Sequence, residues 1–175
     1  MFFDIQVLEK RKIRFEEAFA PGEIEPLDEG LKQSGDLRAA GEAELVDPSG
    51  AREIRIRGSV RGELEVACAR CLEPIRVPVE AALDLFYRPM AQIARDEEIA
   101  ISEAETEIGF YEGSGIELAD VVREQVLVAM PIRSVCREDC RGICPVCGAN
   151  RNAALCACRE TLADPRWDAL KHWKS

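Results

Sequence analysis

The sequence predicts an α+β protein with three parts: an antiparallel β core of meander or barrel-like form, one long helix, and a cysteine-rich, zinc-ribbon-like C-terminal segment. Three observations carry that expectation. Apolar and polar residues alternate with period two between 41 and 88, one helical period spans 116–130, and six of the eight cysteines lie between 136 and 158. At 175 residues, 47% of them apolar, the chain has enough apolar surface for a core, which excludes wholesale disorder. The expected division is a mainly β domain over 1–131, containing the helix 116–130, and a zinc-binding segment over 132–175 packed on it.

Taken in order, Phe2 to Leu8 reads as a first strand, and 20–38, rich in Gly, Pro and acids, as a loop or an edge crossing. Gly41 to Val46 leads into Asp47-Pro48-Ser49-Gly50, where Pro presets its φ and Gly permits a positive one. Ile54 and Ile56 then alternate with Arg55 and Arg57, as a half-buried antiparallel strand requires. After Gly58-Ser59, Leu64 and Val66 oppose Glu63 and Glu65. Ile75, Val77 and Val79 repeat the pattern, and Leu83 to Tyr87 extend it. Short turns join these strands into a meander. The acidic stretch 91–113 reads as a solvated loop or short edge strand, its acids having no other ligands beside them. Ser114 and Glu117 fit a capping box for a helix carrying Leu118, Val121, Val122, Gln125 and Ala129 and closed by Pro131. Asp164-Pro165 opens a last short helix bearing Trp167, Leu170 and Trp173.

The net charge of −10 is uneven. Residues 1–49 carry −6, 50–90 carry +1, 91–130 carry −8 and 131–175 carry +3. A uniformly acidic protein repels nucleic acid; this one concentrates its acid in two blocks. No uncharged stretch approaches the ~20 residues of a membrane span, and the acid at Asp4 does not suit a signal peptide, so a cytoplasmic protein without membrane contact is expected.

In a reducing compartment, eight thiols point to metal or redox chemistry rather than a disulfide framework. His172 is the single histidine, which leaves little room for mixed Cys/His sites or His-based catalysis. Cys144-Pro145-Val146-Cys147-Gly148 is a knuckle: two thiolates three residues apart converge on one metal, and Gly relieves the tight turn. Cys156 and Cys158 complete four sulfurs, a closed structural site for zinc. Cys68-Ala69-Arg70-Cys71 is a second knuckle in a hairpin turn, and Cys136 with Cys140 would complete a second site. One or two zinc ions are therefore expected. The same ligands also suit an iron–sulfur cluster or simple core cysteines. In another pairing, Cys136 or Cys140 joins the knuckle at 144/147, and Cys68 and Cys71 act as a redox pair or in a metal-dependent enzyme. A redox CxxC normally opens a helix, however, and these flanks are strand-like.

No GxGxxG, P-loop or GxSxG is present, so neither a small-molecule substrate nor a catalytic residue is expected. The arginines are the candidates for recognition. Arg55 and Arg57 on the meander, with Arg141 and Arg151 at the cysteine-rich end, can grip phosphate as planar forks; the alternative is surface charge balanced by interleaved Glu.

Several motifs occur together: Cys68-Ala-Arg-Cys71-Leu72-Glu73-Pro74, a helix ending at Met130-Pro131, Cys140-Arg-Gly142-Ile-Cys144-Pro145-Val-Cys147-Gly148-Ala-Asn150, Cys156-Ala-Cys158 and Asp164-Pro165-Arg166-Trp167. In that combination the chain resembles the YceD-type large ribosomal RNA subunit accumulation proteins. The resemblance implies a small, mainly β protein of bacteria or plastids, linked to large-subunit rRNA accumulation and ribosome assembly. A non-enzymatic factor is expected, binding ribosomal RNA or a basic ribosomal protein.

Overall fold

The computed structural model describes residues 1–24, 30–46, 52–90, 108–158 and 166. The expected turn at 47–50, most of the acidic stretch, and the helix opening at 164 lie outside the described residues. The chain forms two compact units. The first comprises Met1–Val66 with Arg76–Ile132, and the second Ala67–Ile75 with Arg133–Ser175.

The first unit is mostly sheet with one long helix. Strands β2 (Ile13–Phe19), β4 (Leu37–Val46), β5 (Glu53–Ala67), β6 (Pro74–Pro89) and β7 (Ile108–Tyr111) lie side by side in that order, with β3 (Leu31–Gln33) pairing β5 off the path. A separate pair joins β1 (Phe2–Asp4) to β8 (Gly115–Glu117). These are open sheets; among the described residues β2 does not pair with β7 to close a barrel. The pairs β2–β4 and β4–β5 are antiparallel. Strand β7, however, runs parallel to β6, which departs from the antiparallel expectation. Parallel neighbours need a crossover of a dozen or more residues, and 18 lie between Pro89 and Ile108.

Local chemistry accounts for the other departures. The expected first strand stops at Asp4, whose carboxylate accepts from the Gln6 amide at 2.7 Å and caps the single helical turn α1 (Ile5–Leu8). The segment 20–38 is more than a loop: it contains β3 and the start of β4, with Leu37 fully buried. Gly58-Ser59 interrupts nothing, and β5 runs unbroken for 15 residues. There Gly41 of β4 faces Gly58, and a Cβ on Gly41 would meet the Arg57 carbonyl at 2.1 Å and the Phe15 ring at 2.9 Å. The pair of glycines lets the strands approach while Phe15 covers the gap. Strand β2, which the alternation did not flag, buries Phe15 and Phe19.

The capping box does not form. Backbone pairing takes those residues instead: Gly115–Glu117 bonds to β1, and helix α2 (Leu118–Ala129) begins at Leu118, whose amide donates to the Met1 carbonyl at 2.9 Å. Glu117 occupies the cap position without a side-chain bond. The buried stripe of α2 is Leu118, Val121, Val122 and Val126, in one cluster with Phe3, Leu37, Ile54, Ile56, Val60 and Leu64; Ala129 is exposed. The helix stops before Pro131, as expected. No helix among the described residues is long and apolar enough to cross a membrane.

Candidate metal centres

Both cysteine groups lie in the second unit. Each is a set of four whose Sγ atoms are all within 4.8 Å of one another: Cys68, Cys71, Cys136 and Cys140 in one, Cys144, Cys147, Cys156 and Cys158 in the other. In the first set Cys68 and Cys140 are 4.0 Å apart and Cys71 and Cys136 are 3.7 Å apart. A tetrahedral zinc with Zn–S bonds near 2.3 Å has S···S edges of about 3.8 Å, so four thiolates converging this way can hold such an ion. All eight cysteines are free thiols.

The two knuckles share one backbone design. The Cys68 amide donates to the Glu73 carbonyl at 2.8 Å, and the Leu72 amide returns to the Cys68 carbonyl at 2.9 Å. In the second knuckle the Cys144 amide donates to Ala149 and the Gly148 amide to Cys144, both at 2.8 Å. Gly148 takes the left-handed conformation this turn requires, with φ 73°. At the matching position of the first knuckle stands Leu72, with φ 63° and 62% exposed. A non-glycine residue there is strained by about 1–2 kcal/mol. Leu72→Gly is therefore expected to raise the stability of the metal-loaded protein by about 1 kcal/mol, read as a higher urea midpoint at unchanged slope.

These turns aim amides at sulfur. The Cys68 thiol is lowered to about 6, first by the Cys71 amide and then by that of Arg70. Cys144 falls to about 6 through the amides of Cys147 and Val146. Burial pushes Cys136 up to about 12, and the adjoining Cys147 sulfur does the same to Cys158. Cys140 is lowered as well, first by the Asn152 side chain, so without a metal the clusters favour some thiolates and oppose others. A divalent cation reverses that by taking all four as thiolates.

Two residues the sequence reading did not single out for the site support these clusters. Asn152 donates Nδ2–H to Cys140 Sγ at 3.2 Å, while its Oδ1 accepts from the Arg141 amide and the Arg137 guanidinium, both at 2.9 Å. Arg70 donates to the carbonyls of Glu138 at 2.9 Å and Cys140 at 3.0 Å. Asn150-Arg151-Asn152 held a legible signal, since Asn side chains that bond the backbone two residues on build such turns; here the Asn152 amide donates to Asn150 Oδ1.

The four arginine candidates divide. Arg55 holds Asp84 with two bonds of 2.8 and 2.9 Å and lies over the Phe86 ring; Arg57 holds Glu42 at 2.7 Å. They are cross-strand ion-pair residues of the first unit, engaged by carboxylates where phosphate contacts were expected. Arg151 lies against its own cluster: burial opposes its charge, yet its pKa is raised because the Cys144 and Cys156 sulfurs favour it. Arg141 is exposed. The Arg55 pair has a pH signature. Arg55 lowers the folded-state pKa of Asp84, so its stabilisation is full above the ordinary carboxylate range and is lost as pH falls through the folded value. Asp84→Asn is expected to lower the urea midpoint slightly at pH 7, with the difference closing on acidification. A gap unchanged in acid would assign it to packing.

Sheet, helix and paired four-thiol clusters define a mainly β protein able to carry two closed metal centres. Residues 56–174 match the family described as large ribosomal RNA subunit accumulation protein YceD, and the chain belongs to that family. It is 33% identical over 149 residues, 85% of its length, to uncharacterized protein Rv2926c of Mycobacterium tuberculosis and uncharacterized protein Mb2951c of Mycobacterium bovis. The match covers 65% of each of those relatives. Uncharacterized protein ML1660 of Mycobacterium leprae is 25% identical over 101 residues, 57% of this chain and 44% of that protein. No solved structure gives a significant match.

Proposed function

We propose that the protein is a non-enzymatic cytoplasmic factor that promotes large-subunit rRNA accumulation during ribosome assembly, binding rRNA through its second unit, a zinc-ribbon-like module stapled by two zinc ions. The observation that carries this is the division of charge. The second unit has nine Lys or Arg against six Asp or Glu, while the first has 14 against 27. Zinc bound by Cys68, Cys71, Cys136 and Cys140, and by Cys144, Cys147, Cys156 and Cys158, would be structural, with no open position for chemistry. The chain's own residues then make the surface. Arg133, Arg137 and Arg141 are exposed, as are Leu72, Val146 and Leu155, a mixture suited to phosphates and unstacked bases.

Metal-loaded protein is expected to bind large-subunit rRNA fragments at low salt, each lost phosphate contact flattening the log–log salt dependence by about 0.7–0.9. Arg133→Glu with Arg141→Glu should weaken binding at least tenfold. Absence of RNA or subunit association at low salt would overturn the direct form of this reading. A second reading, a thiol-redox enzyme using Cys68 and Cys71, is opposed by burial, since Cys68 is fully buried and Cys71 nearly so. Rapid labelling of Cys68 in metal-loaded protein would support it, and protection would oppose it.

A further inference from the structure

The first unit contains a groove of about 610 Å³ that none of the cysteine chemistry uses. Its apolar lining includes Phe2, Phe110 and Leu127, which are 42%, 45% and 38% exposed. Large side chains grouped at this exposure mark a contact surface more often than an ordinary face does. Four carboxylates stand around them, Glu112, Glu117, Asp120 and Glu124, against one guanidinium, Arg123, 3.5 Å from Asp120, and the Met1 ammonium, 3.8 Å from Glu117. Tyr111 also lines the groove. It is buried, and its hydroxyl has no hydrogen-bond partner among the described residues. Strands β7 and β8 both border the groove, and each pairs on one side only among the described residues, β7 with β6 and β8 with β1.

Apolar anchors, a surplus of carboxylates and strand edges unpaired among the described residues describe one kind of ligand. We infer that this groove docks an extended, Lys/Arg-rich protein segment carrying an aliphatic or aromatic anchor. The anchor packs against Phe2, Phe110 and Leu127, the basic side chains meet the carboxylates, and main-chain groups are free to pair with a strand edge. Nucleic acid is disfavoured, because a phosphate backbone would face four acids. Assigning the segment to a basic ribosomal protein rests on the assembly role proposed above; the groove's choice of a basic peptide does not.

The test uses full-length, metal-loaded protein and a fluorescein-labelled synthetic peptide alternating Lys and Arg around a central Leu and Phe, followed by anisotropy in 50 mM salt. A control peptide replaces each basic residue with Glu. The basic peptide is expected to bind and the acidic one not to. Phe110→Ala, an exposed position with little fold cost, and Glu112→Lys with Asp120→Lys should each weaken binding at least tenfold. The same variants should bind rRNA fragments as tightly as wild type or more so, because they lie in the other unit. Arg133→Glu with Arg141→Glu should retain the peptide while losing RNA; wild-type protein that binds the peptide but no RNA would sink the RNA reading alone. Three results overturn the inference: no peptide binding by wild type, equal binding by wild type and groove variants, or a solution dimer that the groove variants dissociate, which would assign the groove to a second copy.

Discussion

Removal of metal by a chelator is expected to melt the region 133–158 while leaving the sheet unit folded, and Cys144→Ala, which opens the second site alone, to melt 144–158. The reason is the size of what the second unit buries. Among the described residues its buried side chains are Cys68, Cys71, Cys140 and Cys144, with Ile75 and Val135 only half-buried. Six such side chains are few against the backbone entropy of ordering the segment, which amounts to roughly 1–2 kcal/mol per residue. Structural zinc contributes about 10–16 kcal/mol of apparent binding energy in small domains, so the ion would supply most of what holds this unit. Limited proteolysis should show new cleavages after position 131 in chelated protein and after position 143 in Cys144→Ala, with far-ultraviolet sheet signal retained. Elemental analysis should give two zinc ions per wild-type chain and no reactive thiols. A Cys144→Ala protein as resistant as wild type beyond 131 would refute the claim.

Arg88→Met is expected to destabilise the sheet unit by roughly 3 kcal/mol. Glu53 is the one buried charged residue of the described core, 3% exposed, and it accepts from Arg88 Nε at 2.5 Å. Removing one member of a buried pair leaves a charge without compensation, at a cost of about 3–5 kcal/mol when both are fully enclosed; the 26% exposure of Arg88 places this case at the lower end. The double variant Arg88→Met with Glu53→Gln should recover part of the loss, because the stranded charge is gone. Urea unfolding of the metal-loaded protein reads both. Equal stability of Arg88→Met and wild type would show that Glu53 is satisfied by other means.

Much of this was legible in the sequence, for physical reasons. The period-two runs around Ile54, Ile56 and Leu64 and the stripe at Leu118, Val121 and Val122 are direct records of which face is buried. The grouping of the cysteines followed from ligand spacing, since a pair three apart needs a second pair to close a tetrahedron. Strand β2 was hidden because Glu17 stands in the inward row of Ile13, Phe15 and Phe19 and breaks the alternation. The Ser114 capping box failed because pairing with β1 competes for the same backbone, and no local pattern records a partner more than a hundred residues away. Arg55 and Arg57 were read as open to phosphate because Asp84 and Glu42 become their neighbours only when strands pair. The left-handed turn at Leu72 was likewise invisible, because leucine gives no sign of a positive φ.

The second unit is also discontinuous: Ala67–Ile75 is separated from Arg133–Ser175 by the rest of β6, by β7 and β8, and by α2. This sets an order of events on the ribosome that makes the chain. Cys68 and Cys71 emerge first and must wait while the 64 residues to Cys136 are translated, roughly 3–13 s at about 5–20 residues per second. The hairpin of β5 and β6 can form in that interval, since its contacts are local, but its tip stays open. Closing it joins Cys71 to Cys136 across a long loop, so capture of an ion by these four thiols would be a late step, with Cys68 and Cys71 waiting as free thiols until then. Zinc supply during synthesis, rather than affinity at equilibrium, would then set how much of the chain reaches its finished form.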